Sequence, residues 1–370
     1  MTHAAANDGF DALVIGAGVV GAAIAAALAA RGLAVLVIER ARQEGSGITS
    51  RNSGVIHSGL YYPPGSLKAD TCLRGQALLY AWASARAVAH ARIGKLVIAR
   101  GPAELEALDA LEANARASGV ADLERLGPAA IARREPALPR AESALWCPNT
   151  GIVDPHGLTR SLRAAAEADG AIFAMGLEVT RLVADPRGGV TALSGDDELR
   201  APIVVNAAGL DADRLAARVG VDRPIYPCRG DYFRLHGARG RYHHLIYPVR
   251  PRQSPGLGVH LTLELDGGVR LGPDAEYVDR RDDLSPPPAS KLDRFHRAAE
   301  ALLGPILRDR LSPDGCGIRP KLRPPGASEE RDFELVEAPA GCLHLLGIES
   351  PGLTAALALA ERVAARVAAP

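Results

Sequence analysis

The sequence predicts an α/β fold with two domains, and the strongest indication lies near its start. An apolar run over residues 11–15 leads into Gly16-Ala-Gly-Val-Val-Gly21, which opens an Ala-rich segment that closes at Gly32. A second apolar run covers residues 34–38 and ends on Glu39. This order of strand, glycine turn, helix, strand and acidic residue is typical of a Rossmann-like, dinucleotide-binding βαβ unit.

Each glycine of the motif has a physical role in this interpretation. Gly16 makes the tight turn, Gly18 lets the backbone approach a pyrophosphate, and Gly21 lets the helix pack closely on the strand. The N-terminus of the helix offers N–H groups and a positive dipole end to the phosphates. Glu39 is placed to accept hydrogen bonds from ribose hydroxyls. The motif alone does not separate FAD from NAD, and an incidental strand-to-helix turn is the alternative.

Length and composition bound the class of protein. A chain of 370 residues suggests about two domains, and 47% hydrophobic with 23% charged residues is typical of a globular protein. Basic and acidic residues both number 43, so no net charge attracts nucleic acid or an anionic membrane. Nucleic acid is therefore not an expected partner.

No targeting or redox feature stands out. The polar start of the chain predicts no signal peptide, and the apolar run at 22–30 is too short to span a bilayer. The five cysteines are scattered without a C-x-x-C pair, which predicts no disulfide framework and no metal site. We therefore expect a cytoplasmic protein without a transmembrane segment.

The loop after the βαβ unit contains the most unusual composition. Residues 45–64 are rich in Gly, Ser and Asn, and they contain His57, Tyr61 and Tyr62 in a chain with only 4% aromatic residues. Such a loop is either a surface excursion or a segment laid across a ligand. Its position directly after a nucleotide-binding unit favours the ligand.

This loop carries a resemblance to a known family. Thr49-Ser-Arg-Asn-Ser53, Val55-Ile-His-Ser-Gly-Leu-Tyr-Tyr62 and Pro64-Gly-Ser-Leu-Lys-Ala69 resemble the flavin-facing segment of the L-2-hydroxyglutarate dehydrogenases. These are FAD enzymes of the D-amino-acid oxidase and glycerol-3-phosphate dehydrogenase superfamily. The resemblance extends over essentially the whole chain. One position departs from it, since many bacterial members carry Glu where this chain has Gly54, which either alters the pocket or is another family variant.

The resemblance implies FAD. Isolated cysteines are most often small core residues, so we expect the flavin to be bound non-covalently, with a bond to one of the thiols as the alternative. FAD is favoured over NAD because two further glycine-bearing segments, 206–209 and 347–352, resemble backbone approaches to the flavin dinucleotide. Free N–H groups at residues 352–354 are expected to place a positive helix end beside the flavin pyrimidine. The predicted cofactor-binding residues are Gly16, Gly18, Val19, Val20, Gly21, Glu39, Arg40, Thr49, Ser50, Asn52, Ser53, Val179, Ala208, Gly209, Gly347, Gly352, Leu353 and Thr354.

The resemblance also implies a division of the chain. The FAD-binding domain is expected to be discontinuous, over residues 1–90, 148–222 and 312–370. The second, α+β domain for the substrate is expected over 91–147 and 223–311, on a mainly antiparallel sheet. Apolar runs at 171–174, 178–183, 190–193 and 203–206 predict strands of the nucleotide sheet. Asp154 before Pro155 predicts a helix N-cap.

The implied chemistry is the oxidation of a 2-hydroxy acid, which needs a base for the hydroxyl proton. Imidazole is a natural base near neutral pH, and His57 and His260 are the candidates. Alternation in Val259-His-Leu-Thr262 places His260 and Thr262 on one face of a strand, although a satisfied, half-buried histidine is the competing interpretation. Arg319 lies in a segment that resembles the superfamily's Gly-x-Arg-Pro element, and its planar guanidinium matches a substrate carboxylate. A surface arginine is the alternative.

The remaining candidates concern a second carboxylate of the substrate. They are Tyr61, Arg229, Tyr232, Tyr247 and Lys321, although any single tyrosine is as readily a core ring. The sequence thus predicts FAD-dependent oxidation of L-2-hydroxyglutarate, or a close 2-hydroxy acid, to the 2-oxo acid. The electron acceptor, quinone or oxygen, is left open, and a quinone would require peripheral contact with the inner face of a membrane. The rivals are oxidation of an amine, an amino acid or glycerol 3-phosphate, and a flavin-binding protein without turnover.

Overall fold

The computed structural model describes residues 9–184, 189–249 and 258–367 of the protein. The outermost ends of the expected FAD-binding domain, residues 1–8 and 368–370, lie outside the described residues. The helices are α1 (Val19–Ala29), α2 (Leu67–Ala85), α3 (Pro102–Ala117), α4 (Pro128–Arg134), α5 (Pro155–Ala168), α6 (Ala212–Ala217), α7 (Leu292–Leu303) and α8 (Gly352–Arg366). In the part of the chain that is described, no helix has the length and apolar character needed to cross a bilayer.

The strands follow the same chain order. They are β1 (Ala12–Ile15), β2 (Val35–Glu39), β3 (Val55–Ile56), β4 (His90–Ala91), β5 (Lys95–Ala99), β6 (Glu124–Leu126), β7 (Ser143–Cys147), β8 (Gly151–Val153), β9 (Ile172–Met175), β10 (Arg181–Ala184), β11 (Val190–Ser194), β12 (Asp197–Ala201), β13 (Ile203–Asn206), β14 (Tyr226–Leu235), β15 (Leu245–Pro248), β16 (Leu261–Leu263), β17 (Val269–Leu271), β18 (Glu276–Tyr277), β19 (Leu311–Lys321), β20 (Glu334–Glu337) and β21 (Cys342–Leu346).

The predicted βαβ unit is confirmed and forms the centre of a six-stranded sheet. Its strand order is β20-β21-β13-β1-β2-β9, and β1 pairs in parallel with both β13 and β2. Helix α1 is buried along nearly its whole length and packs against α5 and α8. Its alanines fit this position, because small side chains let three helices approach closely.

The second large sheet has nine strands and is mainly antiparallel, as expected. Its order is β18-β14-β17-β16-β15-β5-β7-β6, with β19 paired to β14. Helix α7 covers part of it, and the rings of Phe233 and Phe295 lie 4.4 Å apart in the core between them. The long pairing of β14 with β19 puts residues 311–321 in this sheet, whereas the expected boundary assigns 312–321 to the FAD-binding domain.

One prediction about the nucleotide sheet is wrong. The runs at 178–183 and 190–193 do not extend the six-stranded sheet but form, with β12, a separate antiparallel sheet in the order β10-β11-β12. The physical reason is a tight turn: Gly195, at φ +60°, and Asp196 connect β11 to β12 so that Ser194 pairs with Asp197. A two-residue turn of this kind makes a hairpin, which returns the chain antiparallel to itself.

The N-terminus of α5 is capped as predicted. The side chain of Asp154 accepts a hydrogen bond from the backbone N–H of His156 at 2.9 Å, and Pro155 begins the helix. This cap fixes the start of a helix whose apolar face packs on α1.

The glycine that departs from the family pattern has a structural explanation. Gly54 has φ +68° and its carbonyl oxygen accepts a hydrogen bond from the N–H of Val153, at the edge of a small sheet ordered β3-β8-β4. A Cβ at this position would lie 2.8 Å from the carbonyl oxygen of Val153. This backbone conformation therefore strongly disfavours a side chain at residue 54.

We expect Gly54→Ala to lower the free energy of unfolding by about 2–3 kcal/mol, because it adds left-handed strain to a backbone collision. Urea unfolding with FAD at the same excess in every sample measures the change. The matched control is Gly315→Ala in β19, where a Cβ would have only an ordinary contact at 3.8 Å and the expected change is below about 0.5 kcal/mol. Equal effects of the two substitutions would contradict this explanation.

Candidate active site

A cavity of about 1470 Å³ lies where the carboxyl ends of β1, β2 and β13 face the nine-stranded sheet. Open α/β sheets bind their ligands at this edge. Pockets for one small molecule usually measure about 300–1,000 Å³, so this cavity has room for a dinucleotide together with a small substrate.

The glycine motif forms a close-packed cradle at one end of the cavity. A Cβ on Gly16, which has φ +103°, would lie 2.6 Å from the carbonyl oxygen of Ala207, and a Cβ on Gly21 would lie 1.9 Å from the carbonyl oxygen of Gly16. Neither position tolerates a side chain. The N-cap residue of α1, Gly18, has no side chain to cap the helix, and the first turn of α1 lines the cavity. This arrangement fits the pyrophosphate of a dinucleotide.

Glu39 is held in a fixed orientation on the cavity wall. Its carboxylate accepts hydrogen bonds from the backbone N–H groups of Ala17 and Ala41, each at 2.8 Å. One oxygen serves each bond, so each keeps a lone pair that can accept from a ribose hydroxyl. The neighbouring Arg40 forms an ion pair with Asp211 at 2.9 Å.

The loop that contains Thr49 is tied to the cradle. The hydroxyl of Thr49 accepts from the N–H of Val19 at 3.0 Å, and its carbonyl oxygen accepts from the side-chain amide of Asn52 at 2.8 Å. The side chain of Asn52 in turn accepts from the N–H of Gly54 at 2.7 Å. The loop is therefore folded onto the N-terminus of α1 and does not extend over the surface.

Most of the predicted cofactor-binding residues line this cavity. They are Gly16, Gly18, Val19, Val20, Gly21, Glu39, Arg40, Thr49, Asn52, Ser53, Val179, Ala208, Gly209, Gly352 and Leu353. Three others do not line it. The hydroxyl of Ser50 instead bonds to the carbonyl oxygens of Ser46 and Gly47, and Gly347 packs against Leu322, which a Cβ would meet at 2.6 Å.

The third residue outside the wall, Thr354, acts on a candidate catalytic residue instead. Its buried hydroxyl accepts from the N–H of His57 at 3.0 Å and donates to the carbonyl oxygen of Val55 at 3.3 Å. The prediction of a free N–H at Gly352 is wrong, because this group donates to the carbonyl oxygen of Glu349. The start of α8 is thus attached to the loop that contains His57.

His57 lies on the cavity wall, half-buried, and its Nε2 is 3.3 Å from the hydroxyl of Ser350. Its Nδ1 is closed off from solvent and has no hydrogen-bond partner among the described residues. Burial, and then the nearby ammonium group of Lys95, lower the pKa of His57 to about 3. The imidazole is therefore neutral at physiological pH and a weak base.

His260 lies on the same wall in a different environment. Its ring stacks on that of Tyr247, with centroids 3.8 Å apart, and its Nδ1 is 3.1 Å from the carbonyl oxygen of Gly258. A carbonyl oxygen only accepts, so Nδ1 carries the proton and Nε2 is the accepting nitrogen of the neutral ring. The predicted alternation fails here because regular strand begins only at Leu261: Val259 and His260 both line the cavity, and Thr262 does not.

Arg319 also lines the cavity, on β19. One of its terminal nitrogens donates to the carbonyl oxygen of Asp274 at 3.1 Å. The guanidinium lies over Gly230 of the paired strand β14, where a Cβ would come within 2.8 Å of it. Tyr232 is close by on the same strand: burial raises the pKa of its hydroxyl, and the positive charge of Arg319 opposes that shift. Gly230 therefore makes room for the arginine, a role that sequence reasoning did not identify.

The predicted residues for a second carboxylate divide into two groups. Tyr61, Tyr232, Tyr247 and Lys321 line the cavity. Arg229 does not, because its guanidinium is buried and bonded to the carboxylate of Asp231 and to the carbonyl oxygens of Asp283 and Ser285.

Lys321 shares a buried carboxylate with a residue that the sequence did not single out. Glu349 lies 3.1 Å from the ammonium nitrogens of both Lys321 and Lys68. Burial alone would raise the pKa of Glu349, but the two ammonium groups lower it below its ordinary value. One carboxylate thus holds two positive charges at the start of α8.

We expect the imidazole of His57 to remain neutral down to pH 5, because its folded-state pKa is lowered to about 3. NMR of 15N-histidine-labelled protein measures this, with His57→Gln identifying the signal. Below pH 6.5 the unfolded chain binds a proton at His57 that the folded chain does not. Acidification from pH 6.5 towards pH 3 therefore costs about 1.4 kcal/mol of stability per pH unit through this residue. A titration midpoint near 6.5 would contradict the assigned environment.

Comparison with known proteins agrees with the geometry. The family model described as FAD dependent oxidoreductase matches residues 11–366. The mitochondrial L-2-hydroxyglutarate dehydrogenase of Arabidopsis thaliana is 37% identical over 97% of this chain and 83% of its own. That of Pongo abelii is 30% identical over 99% and 89%.

A solved structure supports the fold. The L-alpha-glycerophosphate oxidase from Mycoplasma pneumoniae, with FAD bound, has a TM-score of 0.86 at 23% identity and covers 96% of this chain and 94% of its own. At that identity the likeness concerns the fold. The resemblance found in the flavin-facing segment is confirmed by the dehydrogenase relatives. The cradle fits a dinucleotide and the family model is FAD-dependent, so both indicate FAD as the cofactor. The chain belongs to the FAD-dependent oxidoreductase family.

Proposed function

We propose that the protein oxidises L-2-hydroxyglutarate, or a close 2-hydroxy acid, to the corresponding 2-oxo acid. FAD, when bound, would accept the hydride from the substrate's C2. The observation that carries the proposal is a single cavity whose wall contains the glycine cradle, Arg319 and both candidate histidines. The dehydrogenase names of relatives up to 37% identical support the substrate.

Arg319 is the proposed ligand of the substrate's C1 carboxylate. Its contact with the carbonyl oxygen of Asp274 and its position over Gly230 orient the guanidinium. A carboxylate can then accept two parallel hydrogen bonds from the remaining donors, which fixes the orientation of C2.

His260 is the proposed base for the hydroxyl proton. Its Nδ1–H is committed to a carbonyl oxygen, which leaves Nε2 in the basic form. His57, whose pKa is lowered to about 3, is a much weaker base, and its proposed role is to shape the wall beside the start of α8 as a neutral group.

The proposed flavin is bound without a covalent bond to a thiol. All five cysteines are buried, and none of them is among the residues that line the cavity. Release of FAD on denaturation in acid tests this.

We propose a cytoplasmic location, with peripheral membrane contact where a quinone is the electron acceptor. Rates with oxygen and with a soluble quinone distinguish the two acceptors.

We expect L-2-hydroxyglutarate, and not its D-enantiomer, to bleach the flavin under anaerobic conditions. Stopped-flow absorbance measures this across a panel that includes glycerol 3-phosphate, glycine and proline. Arg319→Ala should raise KM by about 100-fold, because it removes a charged hydrogen-bonding partner worth about 2–3 kcal/mol. Arg308→Ala, an exposed arginine paired with Asp293, is the control. Bleaching by an amine or glycerol 3-phosphate alone would replace this proposal, and a bound flavin that nothing reduces would favour a non-catalytic role.

The two histidines are expected to behave differently on substitution. His260→Ala should lower kcat by about 100-fold or more, as loss of a general base does, and the remaining rate should rise with pH as hydroxide replaces the imidazole. His57→Gln should lower kcat by less than about tenfold and retain the wild-type pH profile. The reverse order of effects would assign the base to His57.

A further inference from the structure

Lys95 is a fully buried lysine that has no counter-ion in the part of the chain that the structure describes. It begins β5, in the middle of the nine-stranded sheet, and its side chain is 0% exposed. Among the described residues its ammonium nitrogen has no hydrogen-bond partner and no carboxylate within ion-pairing distance. Lysines are almost never fully buried unless they are paired, so this position calls for an explanation.

Two aromatic rings separate the ammonium group from the cavity. Its nitrogen lies 5.0 Å from the centroid of the Tyr61 ring and 4.9 Å from that of Tyr247. Both rings line the cavity, and Lys95 does not. A cation at this range from two ring faces gains some stabilisation, but less than a carboxylate would provide.

The titratable groups around Lys95 that belong to the described residues supply no negative charge. His57 is neutral at physiological pH, as described above. Burial raises the pKa of Cys72, on α2, to about 12 and that of Cys147, on β7, to about 11, although Lys95 opposes both shifts. Burial raises the pKa of Tyr247 as well, and the ring of His260 stacks on that of Tyr247. Burial lowers the pKa of Lys95 itself.

An anion in the cavity would supply the missing charge. Behind one layer of rings, the interaction of an ammonium group with a ligand carboxylate passes through protein and not through water, so it is weakly screened. A purely structural residue at this position would more simply be apolar, like Leu96 beside it and the facing Leu245. The charge is therefore the feature of Lys95 that the fold itself does not require.

We propose that Lys95 is a positioning residue that acts through the Tyr61 and Tyr247 rings as the buried counter-charge for the second, C5 carboxylate of a dicarboxylate ligand. This inference rests on the proposed function only in the choice of substrate, because Arg319 binds the C1 carboxylate of that substrate in the proposed function. The consequence is specificity: a five-carbon diacid binds better than the five-carbon monoacid that lacks C5 charge.

The test uses ligand binding to the oxidised, FAD-loaded protein, so that it does not depend on turnover. The dissociation constants of 2-oxoglutarate and 2-oxopentanoate are measured from the shift of the flavin absorbance. In Lys95→Met, which keeps the side-chain volume, 2-oxoglutarate should bind about tenfold more weakly, whereas binding of 2-oxopentanoate should change less than about twofold. Flavin content and the thermal unfolding midpoint verify that the variant is folded.

The unmodified protein provides a second measurement. The preference for 2-oxoglutarate should fall as pH rises, because burial lowers the pKa of Lys95 below its ordinary value, so that its proton is lost while the two thiols and His57 stay uncharged. Equal weakening of both ligands in Lys95→Met, or a preference that is constant with pH in the wild type, would overturn the proposal. If L-2-hydroxyglutarate fails to bleach the flavin but Lys95 still determines the preference for the diacid, only the proposed function falls.

Discussion

The close backbone contacts at Gly16 and Gly21 are the constraint on which the site depends. With Cβ positions 2.6 Å (Gly16) and 1.9 Å (Gly21) from carbonyl oxygens, neither residue can carry a side chain without moving α1 away from β1 or β13. The contacts fix the end of α1 at the edge of the sheet. Through the bond from the N–H of Val19 to the hydroxyl of Thr49, they also fix the loop that leads to His57. The dinucleotide cradle and the chemical end of the cavity are therefore positioned by the same glycines.

A second constraint joins distant parts of the chain at that chemical end. The Thr354 hydroxyl bonds to the backbone of His57, 297 residues earlier in the sequence. Helix α2 can approach the first turn of α8 only because it has Gly75 there, where a Cβ would lie 2.2 Å from the carbonyl oxygen of Thr354. The start of α8, with its positive dipole end, is thus locked beside the histidine loop. A buried carboxylate, Glu349, adds two ammonium groups at the same place.

A structural feature could be predicted from the sequence where residues close together in the chain determine it. The βαβ unit follows from hydrophobic period and glycine spacing, and the Asp154 cap follows from one residue type before a proline, so both were found. The hairpin at Gly195 also had a local signal, but two apolar runs were assigned to the wrong sheet. An apolar run predicts a strand without indicating which strand it pairs with.

The site was harder, because roles there are set by partners far away in the sequence. Arg229 matched the expected residue type, yet its guanidinium donates its hydrogen bonds to Asp231 and to two carbonyl oxygens. Thr354 was expected at the cofactor and instead holds His57. Lys95 gave one signal, a charged residue opening an apolar strand. That signal is the same for a lysine at a solvent-exposed strand end and for a buried lysine. Only the three-dimensional packing distinguishes the two.

The distribution of charge favours the proposed hydroxy diacid over an amino acid. The acids nearest Arg319 are already neutralised: Asp274 lies 3.1 Å from Lys291 and 2.7 Å from Arg294, and Glu349 lies between two lysines. Among the described residues Arg319 itself forms no ion pair, so its positive charge is available to a ligand carboxylate. An ammonium group on C2 would be desolvated near the positive charge of Arg319, and the neutral imidazole of His57 would not offset this cost. A hydroxyl carries no such penalty, and each carboxylate lowers the electrostatic free energy of a site that already contains unpaired cations.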